Sequence, residues 1–140
     1  MAAHAAQGHI GRARRLAVDP DAASRRKDVL TLPRRVETVS GALEAAAALV
    51  DAAKAEAAAV SEALDAGEKD ALREAYGDVG GKGAAKPKGI AGALSELEKR
   101  QRSRATRTQR DALDRALVDL AAFYRDVLVL QSGLEVDLIN

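Results

Sequence analysis

From Val36 onward the apolar residues fall into a spacing that only a helix can bury on one side: Val39, Leu43, Ala46, Val50, Ala53, Ala57, Val60 and Leu64 alternate steps of four and three. Such a stripe is a heptad seam, the pattern by which one helix packs against another. The charged Glu44, Asp51, Lys54, Glu56 and Glu62 lie off it. The alanines on the seam let a second helix approach closely, and composition extends that theme. Alanine supplies 32 of the 140 residues, almost half of the 47% hydrophobic fraction, whereas the bulky aliphatics are 16 Leu, 11 Val and 3 Ile and the only aromatics are Tyr76, Phe123 and Tyr124. A chain of this length suits one domain, and this inventory excludes a β-sandwich, which draws on β-branched and aromatic residues throughout.

The partner for the seam lies downstream. Residues 90–130 carry Leu113, Leu117, Leu120, Tyr124 and Val127 at the same alternating steps. Segments 36–76 and 90–130, each roughly 60 Å long if unbroken, are predicted to form an antiparallel hairpin. Folding the chain about position 83 sets 113–127 against 39–53, apolar against apolar, and the basic residues of 99–110 near Glu56, Glu62, Asp65 and Glu68. The fold class expected is all-α, a helical bundle built around that hairpin. Between the two helices, 77–89 holds five Gly, three Lys and one Pro, and reads as a flexible loop. A bend is expected at Gly67. A kink or break is expected within 102–108, where apolar residues thin out and Thr106 or Thr108 can cap a fresh helix.

Upstream, residues 2–18 read as a short helix interrupted by Gly8 and Gly11. Asp19 and Pro20 form a cap and first-turn pair for a second helix over 20–32, which Pro33 ends.

Net charge is +1, but it is segregated along the chain: residues 1–37 carry 8 cations and 4 anions, 38–76 carry 3 and 8, 79–110 carry 9 and 2, and 111–140 carry 2 and 6. The absence of cysteine removes disulfides, a thiol nucleophile and a Cys-based zinc site, and fits a reducing compartment. With no signal-peptide core and no long uncharged apolar run, a cytoplasmic chain without a membrane segment is expected.

Little here points to catalysis. Residues 77–83 (GDVGGKG) resemble a Walker A loop only superficially: the first glycine is one place too near the lysine, Gly83 stands where Ser or Thr would hold magnesium, and no strand precedes it. His4 and His9 are five apart, missing the i, i+4 spacing of a helical metal site. The carboxylates fall among basic neighbours, as in Asp111, Asp114 and Arg115, which reads as ion-paired surface. No catalytic residue, cofactor or metal is expected.

Two features can bind a partner. The basic run Lys99, Arg100, Arg102, Arg104, Arg107 and Arg110 offers phosphate contacts but no interleaved aromatic for base stacking, so pairing with the acidic stretch across the hairpin is the favoured reading over nucleic-acid binding. Near the C-terminus, Leu113, Leu117, Leu120, Phe123, Tyr124, Val127 and Leu128 cover more than one face of their helix, which marks a subunit interface unless helix 20–32 covers the second face. Leu134, Val136, Leu138 and Ile139 then begin an apolar pattern that stops at Asn140, as in a chain truncated there.

Residues 103–129, SRATRTQRDALDRALVDLAAFYRDVLV, resemble the C-terminal region of the delta-prime subunits of actinobacterial DNA polymerase III clamp loaders. The stretches GHIGRAR at 8–14 and LTLP at 30–33 look like the same proteins in the same order. The resemblance implies that residues 1–18 are the end of an AAA+ lid, near the sensor-2 helix, and that 20–140 are most of a helical collar domain. In that family the collar holds the pentamer together, and delta-prime is a non-hydrolysing member beside the ATPase subunits, with gamma/tau and delta as its implied partners, as the assembly places a sliding clamp on primed DNA. The implied role is a non-catalytic oligomerisation domain in DNA replication, without direct DNA contact. The lid arginine of the ATPase subunits follows a Gly-Ser-x-Arg-Asp pattern; here Gly8-His-Ile-Gly-Arg12 stands instead, so Arg12 is assigned no nucleotide role. The alternatives are a nucleic-acid-binding hairpin using 99–110 and an independent coiled-coil adaptor.

Overall fold

The computed structural model describes residues 2–77 and 87–140. The protein is all-α: α1 (Ala2–Ala5), α2 (Ile10–Val18), α3 (Pro20–Thr31), a 3-10 turn (Leu32–Arg35), α4 (Val39–Ala75) and α5 (Ile90–Gln131). The two long segments thus form as expected, within three residues at each end. Most of the loop expected over 77–89 lies outside the described residues.

The local signals account for the short elements. Gln7 and Gly8 turn to positive φ, 49° and 83°, and separate α1 from α2. The second break expected, at Gly11, does not occur, because His9 caps α2 by accepting the Arg12 N–H on Nδ1 at 3.1 Å and Gly11 falls inside the first turn. Asp19 caps α3 as its sequence position suggests, accepting the N–H groups of Asp21 and Ala22 at 3.0 and 3.1 Å. The Ala22 N–H is the chief cause that lowers the Asp19 carboxyl below its ordinary pKa. α3 ends at Thr31, just before Pro33 as expected, and Pro33 sits in the 3-10 turn that follows. Thr38 opens α4 by accepting the Gly41 N–H.

No break interrupts the helices, at Gly67 or within 102–108: α4 and α5 each run through as one element. Thr106 and Thr108 cap nothing. Their hydroxyls donate back to the carbonyls of Arg102 and Arg104, at 3.0 and 3.1 Å, which satisfies them inside a continuous helix.

Contacts divide the chain into two compact units, one of Met1–Val50 with Leu113–Asn140 and the other Asp51–Ala112. In the second unit α4 and α5 run antiparallel: Gln101 reaches Asp65 and Glu68, Arg104 reaches the same two residues, and Lys69 meets Glu98. Ala53, Ala57 and Ser61 are buried on α4, and Ile90, Gln101 and Ala112 on α5. The covered line on α4 therefore advances by fours, so Val60 and Leu64, expected on the seam, turn outward. Asp65 and Glu68 take inward positions because Gln101 and Arg104 supply the donors they need.

In the first unit the expected apolar-to-apolar contact of 113–127 with 39–53 is not what is buried. Val39, Leu43, Ala46, Leu117 and Tyr124 are exposed, Leu113, Leu120 and Val127 half-buried, and the covered side of α5 carries Asp119, Ala122 and Asp126. At about 100° per residue, that side lies opposite Leu117, Tyr124 and Leu128.

Candidate interaction surface

Three side chains hold the covered side of α5. The Asp119 carboxylate accepts from the Arg12 guanidinium of α2 and, at 2.9 Å, from Arg26 Nε of α3, so one buried anion ties two helices to a third. Arg26 also donates to the Asn140 side-chain oxygen. Arg12, left without a role by its departure from the family pattern, is here an anchor. A buried charge is tolerated when it is paired and bonded in this way.

The end of α5 is set by glycine. Gly133 adopts φ 64°, its N–H bonds Leu130 O, and the Leu134 N–H bonds Val129 O, the paired pattern that closes a helix through a left-handed residue. The chain then returns to Asp126. That carboxylate accepts the backbone N–H groups of Ile139 and Asn140 at 2.8–3.1 Å, the Asn140 side-chain amide at 3.0 Å and Arg125 at 2.9 Å. Arg125 also donates to Asp137 O at 2.7 Å. Burial alone would raise the Asp126 pKa, but these donors together bring it from 3.8 to about 2. A carboxyl lowered on folding stabilises above its unfolded pKa and loses that contribution as pH falls through the folded one. The tail should therefore stay docked at pH 5 and detach as pH drops from about 4 to about 2, seen as loss of protection of the Ile139 and Asn140 amides in NMR exchange. In Asp126→Asn those amides should be unprotected at pH 5 as well. Protection that survives to pH 2, or that the variant retains, would show that other contacts hold the tail.

With its covered side occupied by carboxylates and arginines, α5 presents its bulk outward. Leu117 is 55% exposed, Tyr124 50% and Leu128 62%, and these positions, at i, i+7 and i+11, share one side of the helix. Phe123 packs edge-on against Tyr124, ring centroids 5.5 Å apart at 86°, which fixes the Tyr124 ring in place. Of the seven residues expected at an interface, Leu117, Tyr124 and Leu128 lie open, while Leu113, Leu120, Phe123 and Val127 are half-buried at their margin. Val39 and Leu43 of α4, in the same unit, are exposed as well.

The six cations expected to act together do not. Arg104 is held across the helix pair by Glu68, at 2.7 and 2.8 Å, and by Asp65. Arg104, with Gln101, brings the Glu68 carboxyl down to about 2, and Glu68 in turn raises the Arg104 pKa. Lys99 pairs along its own helix with Glu96 at 2.7 Å. Arg100, Arg102, Arg107 and Arg110 stay exposed, so the expected pairing with the acidic stretch is met by Arg104.

Sequence reasoning missed Asp119 and Asp126, grouping the carboxylates of this helix with the solvated surface. A signal was present: continuing the covered line through Gln101, Thr108 and Ala112 by threes and fours leads to Asp119, Ala122 and Asp126. Among the described residues no three His, Asp or Glu side chains gather as metal ligands, and no helix is long and apolar enough to cross a membrane. Comparison with protein-family models, with curated proteins and with solved structures gives no match to this chain.

Proposed function

We propose that this chain is a non-catalytic assembly module that docks onto other proteins through the outward stripe of α5. The observation that carries the reading is the inversion of the end of that helix: Asp119 and Asp126 are buried and anchored while Leu117, Tyr124 and Leu128 face solvent. Exposed large apolar side chains sharing one rigid face mark an interaction surface, and aromatic anchors of this kind carry much of the binding energy at interfaces. The finer proposal is that the partners are the gamma/tau and delta subunits of a bacterial clamp loader, with this chain serving in the cytoplasm as part of the delta-prime collar in DNA replication. It rests on the resemblance of residues 8–14, 30–33 and 103–129 to that family.

The test is co-elution with those subunits, beside the molar mass of the chain alone. Leu117→Asp with Leu128→Asp changes exposed positions, so helicity should be kept while affinity falls at least tenfold. Undiminished assembly by the double variant removes α5 as the docking face. Failure of the unaltered chain to bind those subunits removes the clamp-loader reading, and a dimer that the same substitutions dissolve replaces it with a self-associating coiled coil.

A further inference from the structure

The basic run leaves a second surface unexplained, confined to the second unit and independent of the α5 stripe. In that unit Lys69 and Glu98 meet at 3.5 Å on one flank of the α4–α5 pair. At about 100° per residue, Val60 and Leu64 project from the other flank of α4, and Arg100 and Arg107 from the same flank of α5. Val60 is 49% exposed and Leu64 54%, and both arginines are exposed. Among the described residues neither arginine makes an ion pair. A Cβ added at Gly67, one turn beyond Leu64, would meet nothing within 4 Å, so the flank stays open there.

This flank therefore sets two aliphatic side chains beside two unpaired guanidiniums. Arg104, between the two, is committed to Asp65 and Glu68. Of the acids nearest the row in sequence, Glu98 meets Lys69 on the opposite flank, Glu96 is taken up by Lys99, and Asp111 follows one turn after Arg107 on α5.

We infer that this flank binds an acidic amphipathic helix of another protein, whose apolar stripe covers Val60 and Leu64 and whose flanking carboxylates meet Arg100 and Arg107. Charge complementarity chooses the occupant. A second copy of the same flank would bring arginine toward arginine in a two-fold contact. A nucleic-acid backbone would gain nothing from two leucine-sized apolar groups, and the cations do not offer it one face: Arg102 projects from the opposite flank and Arg110 from the outer side of α5. Carboxylates on a helix can bond a guanidinium in a bidentate fork while leucines of the same helix fill the aliphatic strip.

The probe is a synthetic amphipathic helix with a leucine stripe flanked by glutamates, titrated against the full chain, beside the same peptide with glutamines for glutamates and a duplex DNA. The acidic peptide is expected to bind, and to lose about tenfold in affinity when its glutamates become glutamines or when Arg100→Ser and Arg107→Ser are introduced together. Val60→Ser with Leu64→Ser should weaken it by at least as much. The peptide comparison needs no variant of this chain, so it stands even if a substitution disturbs folding. Absence of binding, equal binding of both peptides, or tighter binding of duplex DNA that ignores the Val60 and Leu64 changes overturns the inference. None of these outcomes involves Leu117, Tyr124 or Leu128, so the assembly reading stands or falls separately.

Discussion

Replacing Asp119 by alanine is expected to lower the stability of the first unit by about 3 kcal/mol, the low end of the cost of breaking a buried ion pair. Its carboxylate is the shared acceptor for Arg12 and Arg26, and deleting it leaves two partly buried guanidiniums facing each other without an anion. The low end applies because both arginines keep some contact with solvent. Arg12→Ala should cost less, since Asp119 keeps Arg26 and Arg26 keeps the Asn140 side chain. Urea denaturation of the three proteins measures the order: Asp119→Ala well below Arg12→Ala, and Arg12→Ala below the unaltered chain. A loss under 1 kcal/mol for Asp119→Ala would mean that the carboxylate is not what ties α2 and α3 to α5.

That anchor shows where the sequence was legible. Helix type and extent follow from spacing, capping residues and the lack of strand formers, and the long helices lie where the alternating steps of four and three put them. Antiparallel pairing within the second unit was legible too, because charge segregation brings Asp65 and Glu68 to Arg104. What failed was the assumption that the bulkiest residues choose the covered side. On α5 the leucines mark one side and the buried line runs through Asp119, Ala122 and Asp126, because arginines and backbone N–H groups distant in sequence supply the counter-charges. A hydrophobic pattern carries no information about such partners: Arg12 and Asp119 are separated by most of the chain. Of the residues expected at an interface, Leu117, Tyr124 and Leu128 are exposed, although the helix packing that leaves them exposed differs from the one expected.

The same distinction makes a sharp test on α4, where buried alanine and exposed valine are neighbours. Ala57 is buried and three residues later Val60 stands half in solvent. Ala57→Leu should cost about 1–3 kcal/mol, because added methylenes in a filled contact force α4 and its neighbours to shift. Ala53→Leu, one turn earlier and equally covered, should cost about the same. Ala58→Leu, exposed on the next position, should stay within about 0.5 kcal/mol of the unaltered chain. Val60→Ala should likewise be nearly neutral, whereas a heptad seam through Val60 would make it a core truncation. Thermal unfolding of the four variants therefore separates the two registers. If Val60→Ala destabilises more than Ala57→Leu, the covered line follows the alternating steps of the sequence. If Ala53→Leu and Ala57→Leu are damaging while Val60→Ala and Ala58→Leu are nearly neutral, the line advances by fours, and the small side chains at 53 and 57 are what let another helix lie close to α4.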